Sequence, residues 1–590
     1  MNIKKVLLLL VVLFPINIYA LNKAPIDITN MNITGLSEAL DNQIIDSETL
    51  VKLYLDRINT YSDYNAIINI NENAIEEAKK LDEERLAGKV RSIIHGIPII
   101  VKDNIDVYGM PTTAGSLSLS DNYPNEDAFV IKKLKEAGAI IIAKSNMSEF
   151  AFQASSSKSS YGTVKNAYNM DYSSYGSSGG SAVSVALSFA VAALGTDTNS
   201  SIRVPASANN IVGYRPTLGT ISRSGVLPYD PERDTIGLLT KTIKDSIILT
   251  NIIMGYDQQD SKSINQEYSN YNITLESLNG ITIGIPSDFL KGDNSNKLPE
   301  NQESYEEIYN LMQIAISKME KNGANIVYLD DYYTYTQDNY AITSYSGYLL
   351  CDSFNSYIKN TQSKIKSFKE LASSSGIITD LSSYTKSCNT TRSLENKNEK
   401  KNLYKTYLEK IYQDNNLDVI VYPTTKNKLL KIGTSGIKNL SAHAASTVGF
   451  PAISMPLGFD SELLSYGIEF MALKNDDEKL FNIAYLYEKI NSNNISPSLA
   501  PNLYQIPSEI TMLLEVYQNP PKKIYRQKKW LQNVQTYLKN YNNNDNIKQD
   551  AINLLKDYNK RIYINYLIKV VFILLMYLYI KSKVVKLRNK

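Results

Sequence analysis

Asp127-Ala-Phe-Val-Ile-Lys-Lys-Leu-Lys-Glu-Ala137, then Gly138, then Ala139-Ile-Ile-Ile-Ala143 decides the fold class. The first segment repeats apolar side chains three and four residues apart, the spacing of one helix face. Gly138 supplies the stop. The third segment is an unbroken apolar run, the pattern of a strand buried on both faces. Upstream, Ile97 to Val101 is a second run of this kind. Before it, Leu50, Val51, Tyr54, Leu55 and Ile58 share one helical face behind Asp46 or Ser47 as N-cap, and a charged helix follows through Asn73–Leu86. Strands alternating with helices define an α/β protein. Farther along, Gly179 to Leu194 reads as a buried helix of small and apolar residues. Residues 260–410, rich in Tyr, Ser, Asn and Lys, read as an insert over the core, and β-like runs return at Val419–Tyr422 and Ala452–Met455.

Composition removes several kinds of chemistry. The 590 residues include 62 Lys and Arg, 60 Asp and Glu, two His and two Cys, for a formal charge of +2. That balance leaves no overall basic field for a nucleic-acid partner. His95 and His443 cannot build a multi-histidine metal site, and Cys351 with Cys388 cannot hold a zinc or iron–sulfur cluster. No metal or other cofactor is implied. Catalysis, if present, falls to Ser, Lys, Asp or Glu.

The two ends read as addresses. Lys4 and Lys5, the aliphatic run Val6 to Phe14 and the small Ala20 make residues 1–20 a signal peptide, with a buried N-terminal helix as the alternative. Residues 491–507 read as a linker and 508–561 as a polar, lysine-rich helical stalk. Residues 562–581 read as a single transmembrane helix. The apolar stretch Tyr563 to Ile580 is about 27 Å long as a helix, enough to span a bilayer; an amphipathic surface helix or a docked core helix is the alternative. The basic tail 582–590 then stays cytoplasmic, and the enzyme domain is exported and membrane-anchored. In an oxidising compartment Cys351 and Cys388 can form a bridge, though two free thiols read equally well.

Three segments carry chemical interest. Gly96-Ile-Pro-Ile-Ile-Val-Lys102-Asp103 puts a lysine at the end of an apolar strand, where desolvation lowers its pKa toward that of a general base; alternatively its head reaches water or pairs with Asp103. Gly176-Ser177-Ser178-Gly179-Gly180-Ser181 opens the small-residue helix and by itself is only a turn or an anion site. Gly195-Thr-Asp197-Thr198-Asn199-Ser200-Ser201-Ile-Arg203 is a polar turn after that helix, able to aim several N–H groups at one spot; alternatively it is only a loop, with Asp197 and Arg203 as a structural ion pair.

Taken together, these segments resemble the amidase signature family, with Lys102, Ser177 and Ser201 spaced 75 and then 24 residues apart. Asn146-Met-Ser-Glu149, Gly213-Tyr-Arg-Pro216, Asp418-Val-Ile-Val-Tyr-Pro423 and Gly449-Phe-Pro-Ala-Ile-Ser-Met-Pro456 match its later landmarks, and the resemblance covers about 35–490 within a domain of 21–490. It implies a large mixed central sheet with helices on both faces. It also implies an amidase, a hydrolase of linear amide C–N bonds, with a small-molecule or peptide amide as substrate. Ser201 would be the nucleophile, Ser177, held by a cis peptide, the proton relay, and Lys102 the neutral base. Backbone N–H groups of Thr198, Asn199, Ser200 and Ser201 would hold the oxyanion, supported by Asp197 and Arg203. The family includes the A-type amidotransferase subunits that release ammonia from glutamine, an alternative that export argues against. Asn199 and Ser200 stand where the family has glycines, and Gly237-Leu238 where it often has Gly-Pro. A non-catalytic binding protein on the same fold is the third reading. His443, in a Ser/Ala-rich stretch, borders the pocket or is structural.

Overall fold

The computed structural model describes residues 29, 31–43, 45–290, 299–330, 332, 345–389, 393–426, 428–434, 443–491 and 497. The signal peptide, the stalk, the transmembrane helix and the basic tail read from the sequence lie outside the described residues, as does all but residues 491 and 497 of the linker. Among the described residues no helix is long and apolar enough to cross a membrane.

The strands, in chain order, are β1 (Ile67–Ile70), β2 (Pro98–Lys102), β3 (Ile140–Ser145), β4 (Lys158–Ser159), β5 (Gly162–Thr163), β6 (Ala192–Asp197), β7 (Val212–Arg215), β8 (Thr235–Thr240), β9 (Thr282–Pro286), β10 (Asn325–Leu329), β11 (Val419–Pro423), β12 (Ala452–Phe459) and β13 (Ser465–Met471). All but the small β4–β5 ribbon join one sheet in the order β1-β3-β2-β6-β8-β7-β12-β13-β11-β9-β10. It is mixed: β3, β2 and β6 run parallel, the next strands through β11 pair antiparallel, and β11, β9 and β10 are parallel again. β2, β3, β6, β8 and β11 are buried at every position, as expected of strands covered on both faces.

Consecutive residues of β7 show what covers each face, because side chains alternate along a strand. A Cβ on Gly213 would sit 2.5 Å from the Ala206 Cβ, so the helix Arg203–Ala208 rests directly on that backbone. The next residue, Tyr214, points the other way: its hydroxyl donates to Asp477 Oδ1 at 2.7 Å and its ring packs on Phe481, both in the helix Asp477–Ile490. Asp477 also accepts from the Thr217 N–H and hydroxyl.

Several elements match the reading from sequence. Asp46 caps the helix Ser47–Thr60 by accepting from the Thr49 N–H, and Leu50, Val51, Tyr54 and Ile58 are its buried face. The decisive stretch forms the helix Phe129–Glu136, a left-handed Gly138 and β3. Two readings need correction. Residues 179–194 are not one helix. The helix ends at Ala186, Ser188 turns with positive φ, and β6 begins at Ala192. An apolar run of small residues has no periodicity to separate helix from buried strand. The polar turn at 198–202 therefore follows a strand. Likewise, residues 260–410 are not wholly an insert over the core, since β9 and β10 complete one edge of the sheet. The helices Ser346–Ile358 and Phe368–Ala372 do pack over it, with Phe354 and Phe368 against Leu119, Met147, Phe150 and Leu227. Cys351 and Cys388 are joined there as a disulfide.

Candidate active site

β2 delivers Lys102 at its last position, entirely buried. Its Nζ donates to Ser177 Oγ at 2.7 Å and to Thr196 Oγ1 at 2.7 Å. Asn104 Nδ2 also donates to Thr196 Oγ1, at 3.1 Å. Burial pushes the Lys102 ammonium down to about 7, against the opposing pull of Asp197 and Asp234. Lys102 does not pair with Asp103. The neighbouring strand's Lys144 does, at 3.5 Å, and Asp103 Oδ2 accepts from the Thr113 N–H, the Thr113 hydroxyl and the Gly115 N–H. This separation leaves the Lys102 amine facing hydroxyls.

Ser177 follows a cis peptide from Gly176 and ends the loop that enters the helix Gly179–Ala186. Its carbonyl accepts from the Ser148 N–H and from Ser157 Oγ. Glycine is required a little farther on, within that helix: a Cβ on Gly180 would lie 2.2 Å from the Asn146 carbonyl oxygen. The loop is bound to the third segment directly, since the Ser178 N–H donates to the Ser201 carbonyl and Ser178 Oγ to the Thr196 carbonyl. Lys102, Ser177 and Ser201 thus sit on three segments that β2, β6 and one short helix hold together. Ser201 is 6 % exposed, while Lys102 and Ser177 are fully covered.

The turn from β6 into the helix Arg203–Ala208 rests on buried charge. Asp197 accepts from Arg203 Nε at 3.1 Å, Arg215 Nη1 at 3.0 Å and the Ile202 N–H at 3.2 Å. Arg203 Nη1 donates to Glu469, which also accepts from the Tyr422 hydroxyl. Two arginines and two carboxylates balance. Burial raises the Asp197 carboxyl, but the two guanidiniums outweigh it and hold the group below its ordinary range. Neither Asn199 nor Ser200 has positive φ, so this backbone does not demand glycine at either position. Asn199 instead uses its side chain, accepting from Arg233 Nη1 at 2.8 Å. Its carbonyl accepts from Arg203 Nη2 at 2.8 Å and Ser446 Oγ at 2.7 Å. The adjacent Thr198 hydroxyl donates to Asp234 Oδ1 at 2.5 Å. His443 opens the helix His443–Val448 that carries Ser446; desolvation and the nearby Arg203 and Arg233 push its imidazole down to about 3, so it is neutral. His95 is structural, with Nε2 against the Leu81 carbonyl.

The reading from sequence missed Thr196, Asn104, Arg215, Arg233, Asp234, Ser446 and Glu469. Thr196 and Arg215 lie inside the quoted motifs, which are the signal that could have found them. Asn104 directly follows the Lys102-Asp103 motif, and Ser446 lies in the Ser/Ala-rich stretch after His443. Arg233, Asp234 and Glu469 carry no local signal, because they reach the site only through sheet order or long loops. Among the described residues there is no group of three or more His, Cys, Asp or Glu that could hold a metal ion.

A buried lysine of lowered pKa, a serine hydroxyl on its amine and a second serine on a charge-braced turn are groups able to serve acyl transfer to a hydroxyl. The family model Amidase matches residues 49–481, and the chain belongs to the amidase family. It is an enzyme acting on an amide C–N bond, as hydrolase or amidotransferase. It is 33 % identical, over 78 % of this chain and 98 % of the relative, to the A subunit of the glutamyl-tRNA(Gln) amidotransferase of Clostridium botulinum (strain Okra / Type B1). The native peptide amidase from Stenotrophomonas maltophilia superimposes with a TM-score of 0.70 at 26 % identity, over 79 % of this chain and 98 % of that one. An amidase family protein from Bacillus anthracis str. Ames does so with 0.68 at 28 %, over 80 % and 93 %.

Proposed function

We propose that the protein hydrolyses a carboxamide to a carboxylate and an amine or ammonia through an acyl-enzyme on Ser201. The observation that carries this reading is the 2.7 Å contact from Lys102 Nζ to Ser177 Oγ, made by a buried amine whose pKa is about 7. Neutral Lys102 takes the Ser177 proton as Ser177 takes that of Ser201. The Ser201 oxygen then bonds to the carbonyl carbon. The oxyanion is met by N–H groups of Thr198, Asn199, Ser200 and Ser201. Collapse breaks the C–N bond, and the departing nitrogen recovers the proton through Ser177. Water repeats the cycle on the ester, forming the acid and freeing Ser201. Each part matches a known need: a base near ambient pH, an activated hydroxyl and oriented dipoles at the developing charge.

The test is a screen of fatty, aryl and peptide amides with wild-type protein and Ser201→Ala, together with fluorophosphonate labelling. Loss of both hydrolysis and labelling in the variant supports the reading; retained hydrolysis defeats it.

A second reading, release of ammonia from glutamine in the manner of an A-type amidotransferase component, is favoured by relatives at 30–33 % identity that are A subunits of glutamyl-tRNA(Gln) amidotransferases. Glutaminase activity that rises with partner subunits and glutamyl-tRNA would select it. The exported, membrane-anchored placement rests on residues 1–20 and 562–581 alone. Carbonate extraction with protease protection tests it, and release at high pH would remove the span.

A further inference from the structure

We propose that Arg233 is a positioning residue for the acyl-transfer step, acting through Asn199 to fix the turn that meets the oxyanion. The inference rests on the Ser201 mechanism above. Two adjacent residues of the turn are held by two adjacent residues of one loop: Asn199 Oδ1 by Arg233 Nη1 at 2.8 Å, and Thr198 Oγ1 by Asp234 Oδ1 at 2.5 Å. The loop is itself anchored. Arg215 Nη2 donates to the Arg233 carbonyl at 2.9 Å, the Arg233 N–H donates to the Asp230 carbonyl, and Asp234 Oδ2 accepts from the N–H groups of Tyr229 and Asp230. Arg233 is completely buried.

The contact requires the asparagine. A glycine at 199 offers no side-chain acceptor, and residue 199 of the turn is then placed by its backbone alone. Here the side-chain amide is a handle that a charged donor grips from one side. Arg203 Nη2 and Ser446 Oγ hold the carbonyl of the same residue. A charge-assisted hydrogen bond is stronger than one between two neutral groups. N–H groups aimed at an oxyanion act only if they are already in place when charge develops. Arg233 therefore affects the rate of bond formation at Ser201 more than binding of the reagent.

The experiment is a double-mutant cycle read by a fluorophosphonate probe, which needs no knowledge of the natural amide. In the Asn199 background, Arg233→Met is expected to lower kinact about tenfold with KI within about twofold. Arg233→Lys should recover part of the loss. In the Asn199→Gly background, adding Arg233→Met should change kinact by less than about twofold, because the handle is gone. Equal losses in both backgrounds, or a loss confined to KI, overturn the proposal. If Arg233→Met does not fold, Asn199→Ala reads the same contact with Arg233 retained, and an unchanged kinact there overturns it. Ser201→Ala is the control on the mechanism: labelling that survives it removes the mechanism, whereas labelling lost there but normal in Arg233→Met removes only the role of Arg233.

Discussion

Lys102 Nζ and Ser177 Oγ, 75 residues apart in the chain, lie 2.7 Å apart at the end of β2, with no carboxylate among the described residues in hydrogen bond to the amine. The adjacent acid in the chain, Asp103, is taken by Lys144 on β3 and by the 113–115 turn. A lysine shielded in this way can be neutral near physiological pH.

Activity is therefore expected to fall on the acid side of about pH 7, where Lys102 becomes protonated and can no longer accept from Ser177. The sign for stability runs the same way. An unfolded lysine titrates near ~10.4, so between about 7 and ~10.4 the unfolded chain binds the extra proton, and this group's contribution to stability rises with pH. A pH series of kcat/KM from 5 to 9 checks the first effect, and a flat profile would contradict it.

Lys102→Met should separate function from stability. Loss of the base is expected to cost about 10²–10⁴-fold in rate. Thr196 Oγ1 keeps Asn104 as donor, and a buried amine is removed, so the thermal midpoint should hold or rise. A collapsed midpoint would show that the amine stabilises the fold.

Asp197→Asn leaves Arg203 and Arg215 buried with one carboxylate fewer. A loss of about 3–5 kcal/mol is expected, as when one partner of a buried ion pair is removed. Urea unfolding gives the number, and a change below 1 kcal/mol (roughly the worth of a surface pair) would refute the bracing role.

Gly213→Ala places a methyl 2.5 Å from the Ala206 Cβ and 3.0 Å from the Ile202 carbonyl oxygen. Overpacking should cost about 1–3 kcal/mol. Because the displaced helix begins two residues after Ser201, fluorophosphonate labelling should slow as well. Destabilisation with normal labelling would mean that the strain relaxes elsewhere.

The Cys351–Cys388 bridge closes a 37-residue separation across the helices over Phe150 and Leu227. Replacing both cysteines by Ala should cost about 3–4 kcal/mol by loss of chain constraint. A thermal midpoint unchanged between oxidised and reduced wild type would overturn this.

Much of this protein is legible in order along the chain. The helix Ser47–Thr60 and the stretch from Phe129 to Ser145 follow from local periodicity and caps, because those signals act within a few residues, whereas Lys102, Ser177 and Ser201 are singled out together only by the resemblance to the amidase signature family. The 179–194 stretch misleads, since small apolar side chains suit a buried strand and a buried helix equally. β9 and β10 are hidden as sheet strands because nothing local distinguishes an edge partner from an insert.

The sequence by itself determined which residues could do chemistry: a strand-end lysine, two serines in glycine- and threonine-rich turns, and almost no histidine. Only the tertiary structure decided that Lys102 faces Ser177 instead of Asp103, that Asp197 sits between two arginines, and that Asn199 is held by Arg233. The reason is physical. A strand or helix is chosen by interactions over a few residues, whereas a buried charge takes whatever partner the sheet order and the packed loops bring within about 3 Å.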